Sequence, residues 1–323
     1  MEDAGTHDQS RLPRAVAHRG FAPITDAPDG AYLCVLASGS AGNCSVLALR
    51  RGSVTRLCLI DLGLSPRRTF RCLIEMGFRP DQIDHAILTH LDTDHFQPNW
   101  LAMLPGHARM RMHKRHYRDL AKNGFPSRAI PDRIKTFDGP FNLEPGVTVR
   151  PMLMEHDEHG VTTLRFDMSE FGAGVLGFAT DVGRVTMELV DHFRADHGGG
   201  PGVDVLAIES NYCPKMQLES DRPAFLKRRI MGGKGHLSNQ ETVEAIGAIR
   251  PREHVVLLHL SRQCNDPRLV AGMHKAAGYT WTISDQFTPT PWVRIAPGPR
   301  REPRPVVSSR LFQTATLWTQ SHP

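Results

Sequence analysis

The sequence predicts a mixed α/β fold in which β-sheets pack face to face beneath covering helices. Two observations predict it. Short β-type apolar runs recur along most of the chain, hairpin-spaced at first, and later alternate with amphipathic helical patterns. The chain of 323 residues is also 40% hydrophobic and 23% charged, enough to bury a sizeable core.

Residues 1–30 carry no apolar periodicity and read as a flexible N-terminal arm, so the fold is expected to begin at Ala31. Strands are expected at 32–37, 45–49 and 57–61. Pro66 suits a first helical turn, and Phe70, Leu73, Ile74 and Phe78 follow at helical spacing, which predicts a helix stopped near Gly77. Later strands are expected at 85–89, 147–154, 162–166, 175–179, 203–208 and 254–258. Helices are expected at 99–104, 114–122, 185–193, 223–231, 239–249 and 267–277, with Trp281 and Trp292 packing the last strands. Residues 31–296 form the expected catalytic domain. From 297 to 323 proline and arginine dominate, and a basic tail is expected.

Composition narrows the function classes. No apolar run approaches the roughly 18 to 20 residues of a spanning helix, and the polar first 30 residues lack the apolar core of a secretion signal. Six scattered cysteines (Cys34, Cys44, Cys58, Cys72, Cys213, Cys264) make no Cys-x-x-Cys pair and read as small buried apolar residues. Together these predict a cytoplasmic protein without a membrane partner. A net charge of +5 and a pI near 9.0 leave room for an anionic substrate.

The strongest chemical signal is His90-x-Asp92-x-Asp94-His95, directly after the apolar run 86–88 and before Pro98. Four possible ligands within six residues, at the carboxyl end of a strand, can converge on a metal ion. The bland alternative is a loop whose aspartate caps a helix. Further candidates stand at other strand ends: Asp61, His156, Asp181 and His259.

In these residues the chain resembles the metallo-β-lactamase superfamily, whose motif is His-x-His-x-Asp-His after a buried strand. The stretches 36–43, Glu209-Ser210-Asn211, 235–239 and His259-Leu260-Ser261 are similar to its YycJ-type branch, which is associated with nucleic-acid hydrolysis. The resemblance spans about 31 to 266. It implies an αββα sandwich of two mixed β-sheets flanked by helices, and two divalent metal ions, zinc or manganese, with iron or magnesium as alternatives. Carried over by position, His90, Asp92 and His156 would hold one ion and Asp94, His95 and His259 the other, with Asp181 as the bridge and Asp61 behind them. Hydrolysis would then use a hydroxide bridging the two ions, with Asp94 counted among the catalytic residues. Two departures are visible: Asp92 stands where the family has histidine, which favours a harder metal than zinc, and Tyr212-Cys213 stands where the branch carries His-Asp.

Around this core, His236 is expected to touch substrate or protonate a leaving oxygen. Ser38, Ser40, Asn43, Asn211 and Ser238 are expected to line the substrate site, Ser38 to Asn43 as a nest of backbone N–H groups and Ser238 at a helix start. Plain capping by Ser238 is the alternative. Basic runs at 109–118 and 227–229 and in the tail suggest a nucleic-acid backbone as partner. The function expected is therefore a metal-dependent phosphodiesterase or nuclease. Its rivals are an ester, lactone or thioester hydrolase on the same fold, and a metal- or nucleic-acid-binding module without turnover.

Overall fold

The computed structural model describes residues 23–122, 131–155, 159–194 and 202–298. The first sheet opens with an antiparallel meander, β1 (Gly30–Ala37), β2 (Cys44–Arg51) and β3 (Val54–Ile60). It continues as a parallel ladder through β4 (Ile83–Ile87), β5 (Arg109–His113) and β6 (Ile134–Phe137). The second sheet repeats this plan. Its antiparallel part is β7 (Phe141–Glu144), β8 (Val147–Met154), β9 (Val161–Asp167) and β10 (Val175–Ala179), and its parallel part adds β11 (Val205–Glu209), β12 (His254–Leu258) and β13 (Thr280–Ile283). A last strand, β14 (Val293–Ile295), returns to the first sheet and pairs with β1.

Helices cover both outer faces. The helices α1 (Pro66–Glu75), α2 (Trp100–Met103) and α3 (Lys114–Lys122) belong to the first sheet. On the second sheet lie α4 (Met187–Phe193), α7 (Asn239–Ile249) and α8 (Pro267–His274), while α5 (Pro214–Glu219) and α6 (Ala224–Met231) pack on a smaller cluster with Tyr212 and Cys264. Strand alternation explains the four layers. In β1, Ala31, Leu33 and Val35 enter the core shared by the two sheets, while Tyr32, Cys34 and Leu36 face the helices. With both faces covered, the central strands are buried end to end and read as unbroken apolar runs.

Several expectations need adjustment. Ile24 is buried in the first-sheet core, so the fold starts before Ala31; the rest of the proposed arm, residues 1–22, lies outside the described residues, as does the proposed tail from 299. Strand β5 hides inside the basic run because its inward residues are Met110 and Met112 and its other positions are charged or polar. Helix α5 was not expected, and the helix predicted from 185 starts at Met187, where Thr186 caps it. All six cysteines are free, and five are buried.

Candidate metal centre

The parallel strands of both sheets point their carboxyl ends at one edge of the sandwich, and the candidate donors lie there. Asp61 follows β3, the run Thr89 to His95 follows β4, Asp181 lies two residues beyond β10, Glu209 ends β11 and His259 follows β12. Four non-glycine described residues adopt a left-handed backbone, and three of them are Asp61 (φ 62°), Asp181 (φ 53°) and His259 (φ 56°). Asp and His tolerate that region better than most residues, yet holding three there in one place marks a functional edge.

Asp61 is a scaffold. Its Oδ1 accepts the Thr89 N–H at 2.8 Å, the Thr89 hydroxyl lies 2.9 Å from both carboxylate oxygens, and Oδ2 is 2.8 Å from His95 Nδ1. The other His95 nitrogen, Nε2, is therefore turned to Asp181 Oδ2 at 2.9 Å. His90 is fixed through Nδ1 by the Thr89 hydroxyl at 2.9 Å, and its Nε2 is 3.4 Å from the same Asp181 oxygen. From the second sheet, His259 Nδ1 lies 2.8 Å from Asp181 Oδ1, and its Nε2 is 3.4 Å from Asp94 Oδ2. The Asp181 carboxylate thus faces imidazoles from both sheets.

Among the described residues, ligand atoms within 4.8 Å of one another occur as three groups: His90, His95 and Asp181; Asp94, His95 and His259; and Asp181, Glu209, His236 and His259. Buried imidazoles mixed with carboxylates are the donors a divalent cation takes, so the residues fit such an ion. Electrostatics agree. Burial would lower the His95 pKa, yet the Asp181 and Asp61 carboxylates hold it well above the usual histidine range. Burial would raise that of Asp181, but His259, His95 and His236 hold it well below the carboxylate range. The protons these imidazoles keep against carboxylates are those a dication displaces.

Asp92 stands apart from these groups. Its side chain is 42% exposed, with Oδ2 3.9 Å from His90 Nε2. His156 lies outside the described residues. Nearby, His159 pairs with Asp119 at 2.8 Å.

Sequence reasoning overlooked Glu209 as a functional carboxylate. It is fully buried; Oε1 accepts the Val182 N–H at 2.7 Å, and Oε2 lies 3.1 Å from His236 Nδ1. His236 also lies 3.4 Å from Asp181 Oδ1. Burial works against a charged His236, but hydrogen bonds to Asp181 and Glu209 push its pKa up to about 10. An acid ending an otherwise apolar strand, Val205-Leu206-Ala207-Ile208, was the available signal.

The expected substrate residues divide. Ser38 and Asn211 hold His259, the serine by accepting its N–H at 2.8 Å and the amide by donating to its carbonyl at 2.7 Å. Asn43 braces the Asp94 turn, donating its backbone N–H to the Asp94 carbonyl at 2.7 Å. Gly63 packs against that turn so closely that a Cβ would fall 1.7 Å from the Asp94 carbonyl oxygen. Ser40 is exposed on the loop. Ser238 caps α7 with Glu241 in a reciprocal capping box. In the basic run, Arg111 turns inward to His85 Nδ1 at 2.8 Å, with burial lowering its pKa, and Lys114 pairs with Asp138.

Residues 56–260 match the Beta-lactamase superfamily domain. Exodeoxyribonuclease WalJ of Streptococcus pneumoniae serotype 2 is 24% identical over 234 residues, covering 72% of this chain and 82% of that protein. Exodeoxyribonuclease YycJ of Bacillus anthracis is 24% identical over 239 residues, 73% of this chain and 84% of that one. Among solved structures, the metallo-beta-lactamase fold protein YhfI from Bacillus subtilis aligns with a TM-score of 0.58 at 15% identity, over 81% of this chain and 99% of that one. No helix among the described residues is long and apolar enough to cross a membrane.

Proposed function

Because the chain belongs to the beta-lactamase superfamily, we propose that it is a metal-dependent nuclease that hydrolyses phosphodiester bonds in DNA. Two similar proteins named as exodeoxyribonucleases support the choice of DNA. The single observation that carries the chemistry is the Asp181 carboxylate, shared between His90, His95 and His259 and bordered by His236. His90, Asp92, Asp181 and, from the sequence, His156 would hold one ion, and Asp94, His95, His259 and Asp181 the second. Bound there, two ions would supply an activated water and offset the negative charge on the phosphoryl oxygens and the leaving oxygen.

The chain's own groups do the rest. Asp61, Ser38 and Asn211 fix the two imidazoles His95 and His259 before substrate arrives. Glu209 and Asp181 hold His236 at the edge of the site, where in its protonated form it would give a proton to the departing alkoxide. The Asp92 oxygen, in place of a nitrogen, favours manganese or another hard ion over zinc. A cytoplasmic setting fits the five buried free thiols.

The test is purified protein with manganese, zinc or magnesium, assayed on labelled single- and double-stranded DNA, RNA, a small phosphodiester, a lactone and a thioester. DNA cleavage that chelation abolishes is expected, fastest with manganese, and Asp92→His should move the preference toward zinc. Turnover of the lactone or thioester with every phosphodiester left intact would overturn the reading.

A further inference from the structure

Several basic side chains among the described residues have an acidic partner. Arg56 meets Glu144 at 3.2 Å, Arg79 meets Asp81 at 2.9 Å, Arg184 meets Glu155 at 2.7 Å, and Lys114 meets Asp138. Three arginines on the His259 side of the site differ. Arg222, between α5 and α6, is held by neutral oxygens: Gln263 Oε1 at 3.0 Å, Gln217 Oε1 at 3.2 Å and the Ser261 hydroxyl at 3.3 Å. Arg68, in the first turn of α1, donates to the Gln286 carbonyl at 2.7 Å. Arg262 stacks its guanidinium over an aromatic face, 4.9 Å from the Phe287 ring centroid. Each charge is positioned but not neutralised by a carboxylate among the described residues.

These groups share one rim. Ser261 and Arg262 lie two and three residues beyond His259, so their Cα atoms are within about 7 and 11 Å of it along the chain. Phe287 is 61% exposed and follows Gln286, whose side chain clamps the other wall of the site: Oε1 accepts the Ala41 N–H at 2.9 Å, and Nε2 donates to the Gly42 carbonyl at 2.9 Å. An Asx turn from Asp285, accepting the Phe287 and Thr288 N–H groups at 2.8 Å each, fixes the aromatic residue on this loop. A fixed guanidinium without a counter-ion suits a phosphate, and an exposed ring carrying an arginine on one face suits a planar base on the other.

We propose that this rim is a strand-binding subsite for single-stranded nucleic acid, in which Arg222 takes a backbone phosphate and Phe287 stacks an unpaired base beside the scissile bond. The inference rests on the nuclease reading and extends it: the occupant is a single strand, since a paired base has no free face to offer.

The experiment measures binding of the full chain, loaded with manganese, to a fluorescent single-stranded oligonucleotide with hydrolysis-resistant phosphorothioate linkages, across a salt series. Arg222→Gln should reduce the slope of log affinity against log salt by about 0.7, one phosphate contact, and Arg222→Lys should restore it. Phe287→Ala should weaken binding roughly 5- to 100-fold with the slope unchanged, and Phe287→Trp should restore it. An abasic position scanned along the oligonucleotide should weaken wild-type binding at one place and leave the Phe287→Ala protein indifferent there. If Arg222→Gln impairs folding, Phe287→Ala and the abasic scan decide alone, since Phe287 lies outside the core. Wild-type protein that binds and cuts DNA while these variants bind identically overturns the subsite and leaves the nuclease reading standing. Wild-type protein that neither binds nor cuts nucleic acid overturns both.

Discussion

Asp61 and Asp181 hold matching places in the two sheets, yet their carboxylates do different work. Each comes just after the strand that joins the antiparallel meander to the parallel ladder, and each is buried with a left-handed backbone. The difference lies in the end of the neighbouring parallel strand. Beyond β4 stands Thr89, a donor, whose N–H and hydroxyl engage the Asp61 carboxylate. Ending β11 is Glu209, an acceptor, which binds the Val182 N–H and gives Asp181 no proton. Apart from the adjacent Thr180 hydroxyl at 3.2 Å, Asp181 therefore finds its partners among the imidazoles. One backbone device yields a brace or an imidazole-facing carboxylate according to whether its neighbour donates or accepts.

The largest expected break in this contrast is Asp181→Ala. Turnover should fall by roughly 10³-fold or more, and metal analysis should return clearly less bound ion than the wild type; an unchanged metal content would remove Asp181 from the centre. Glu209→Gln should sharpen the contrast by sparing the metal. Its turnover is expected to drop by about 10²-fold through a poorly held His236, while the bound ion stays at the wild-type level. Asp61→Asn should do the reverse, weakening metal affinity by roughly 10- to 100-fold, with wild-type turnover largely recovered at saturating manganese. Equal metal loss in Asp61→Asn and Glu209→Gln would erase the division between the two sheets.

The smallest effect concerns a clasp between the halves. His116 on α3 is fully buried and bonds the Gly160 carbonyl at 2.9 Å through Nε2, and its Nδ1 has no hydrogen-bond partner among the described residues. Burial lowers its pKa from 6.5 to about 4. Above pH 6.5 the ring is neutral whether folded or unfolded. As pH falls from 6.5 to 4 the unfolded chain binds a proton that the folded one refuses, so stability is lost across that window, at most about 3 kcal/mol. Denaturant titrations at pH 7, 6, 5 and 4 should give a flatter profile for His116→Gln. An identical profile would assign the acid sensitivity elsewhere.

The contrast also explains what was legible in the sequence. The first sheet's donors, His90, Asp94 and His95, lie in one stretch after one strand, so local spacing exposes them. The second sheet supplies one group per strand end, at Asp181, Glu209 and His259, and only the parallel register brings them together. Glu209 escaped for that reason, and because a buried acid becomes meaningful only once its partner His236, 27 residues away, is in contact. The layered fold was readable from unbroken apolar runs, whereas β5 was not, since Met110 and Met112 supply its inner face between charged neighbours. The crowding at Gly63 was equally hidden, because it comes from the Asp94 carbonyl rather than from adjacent residues.

The return of β14 to β1, with Ile295 opposite Ala31, has a consequence for biosynthesis. Strand β1 leaves the ribosome early, but its edge partner is made more than 250 residues later, so its backbone N–H and C=O groups stay unpaired on that side through most of translation. An emerging chain must shield this edge or risk pairing with another copy. A ribosome stalled before residue 293 should therefore hold a nascent chain that recruits chaperones at β1, and release from that state should coincide with the appearance of the final strand.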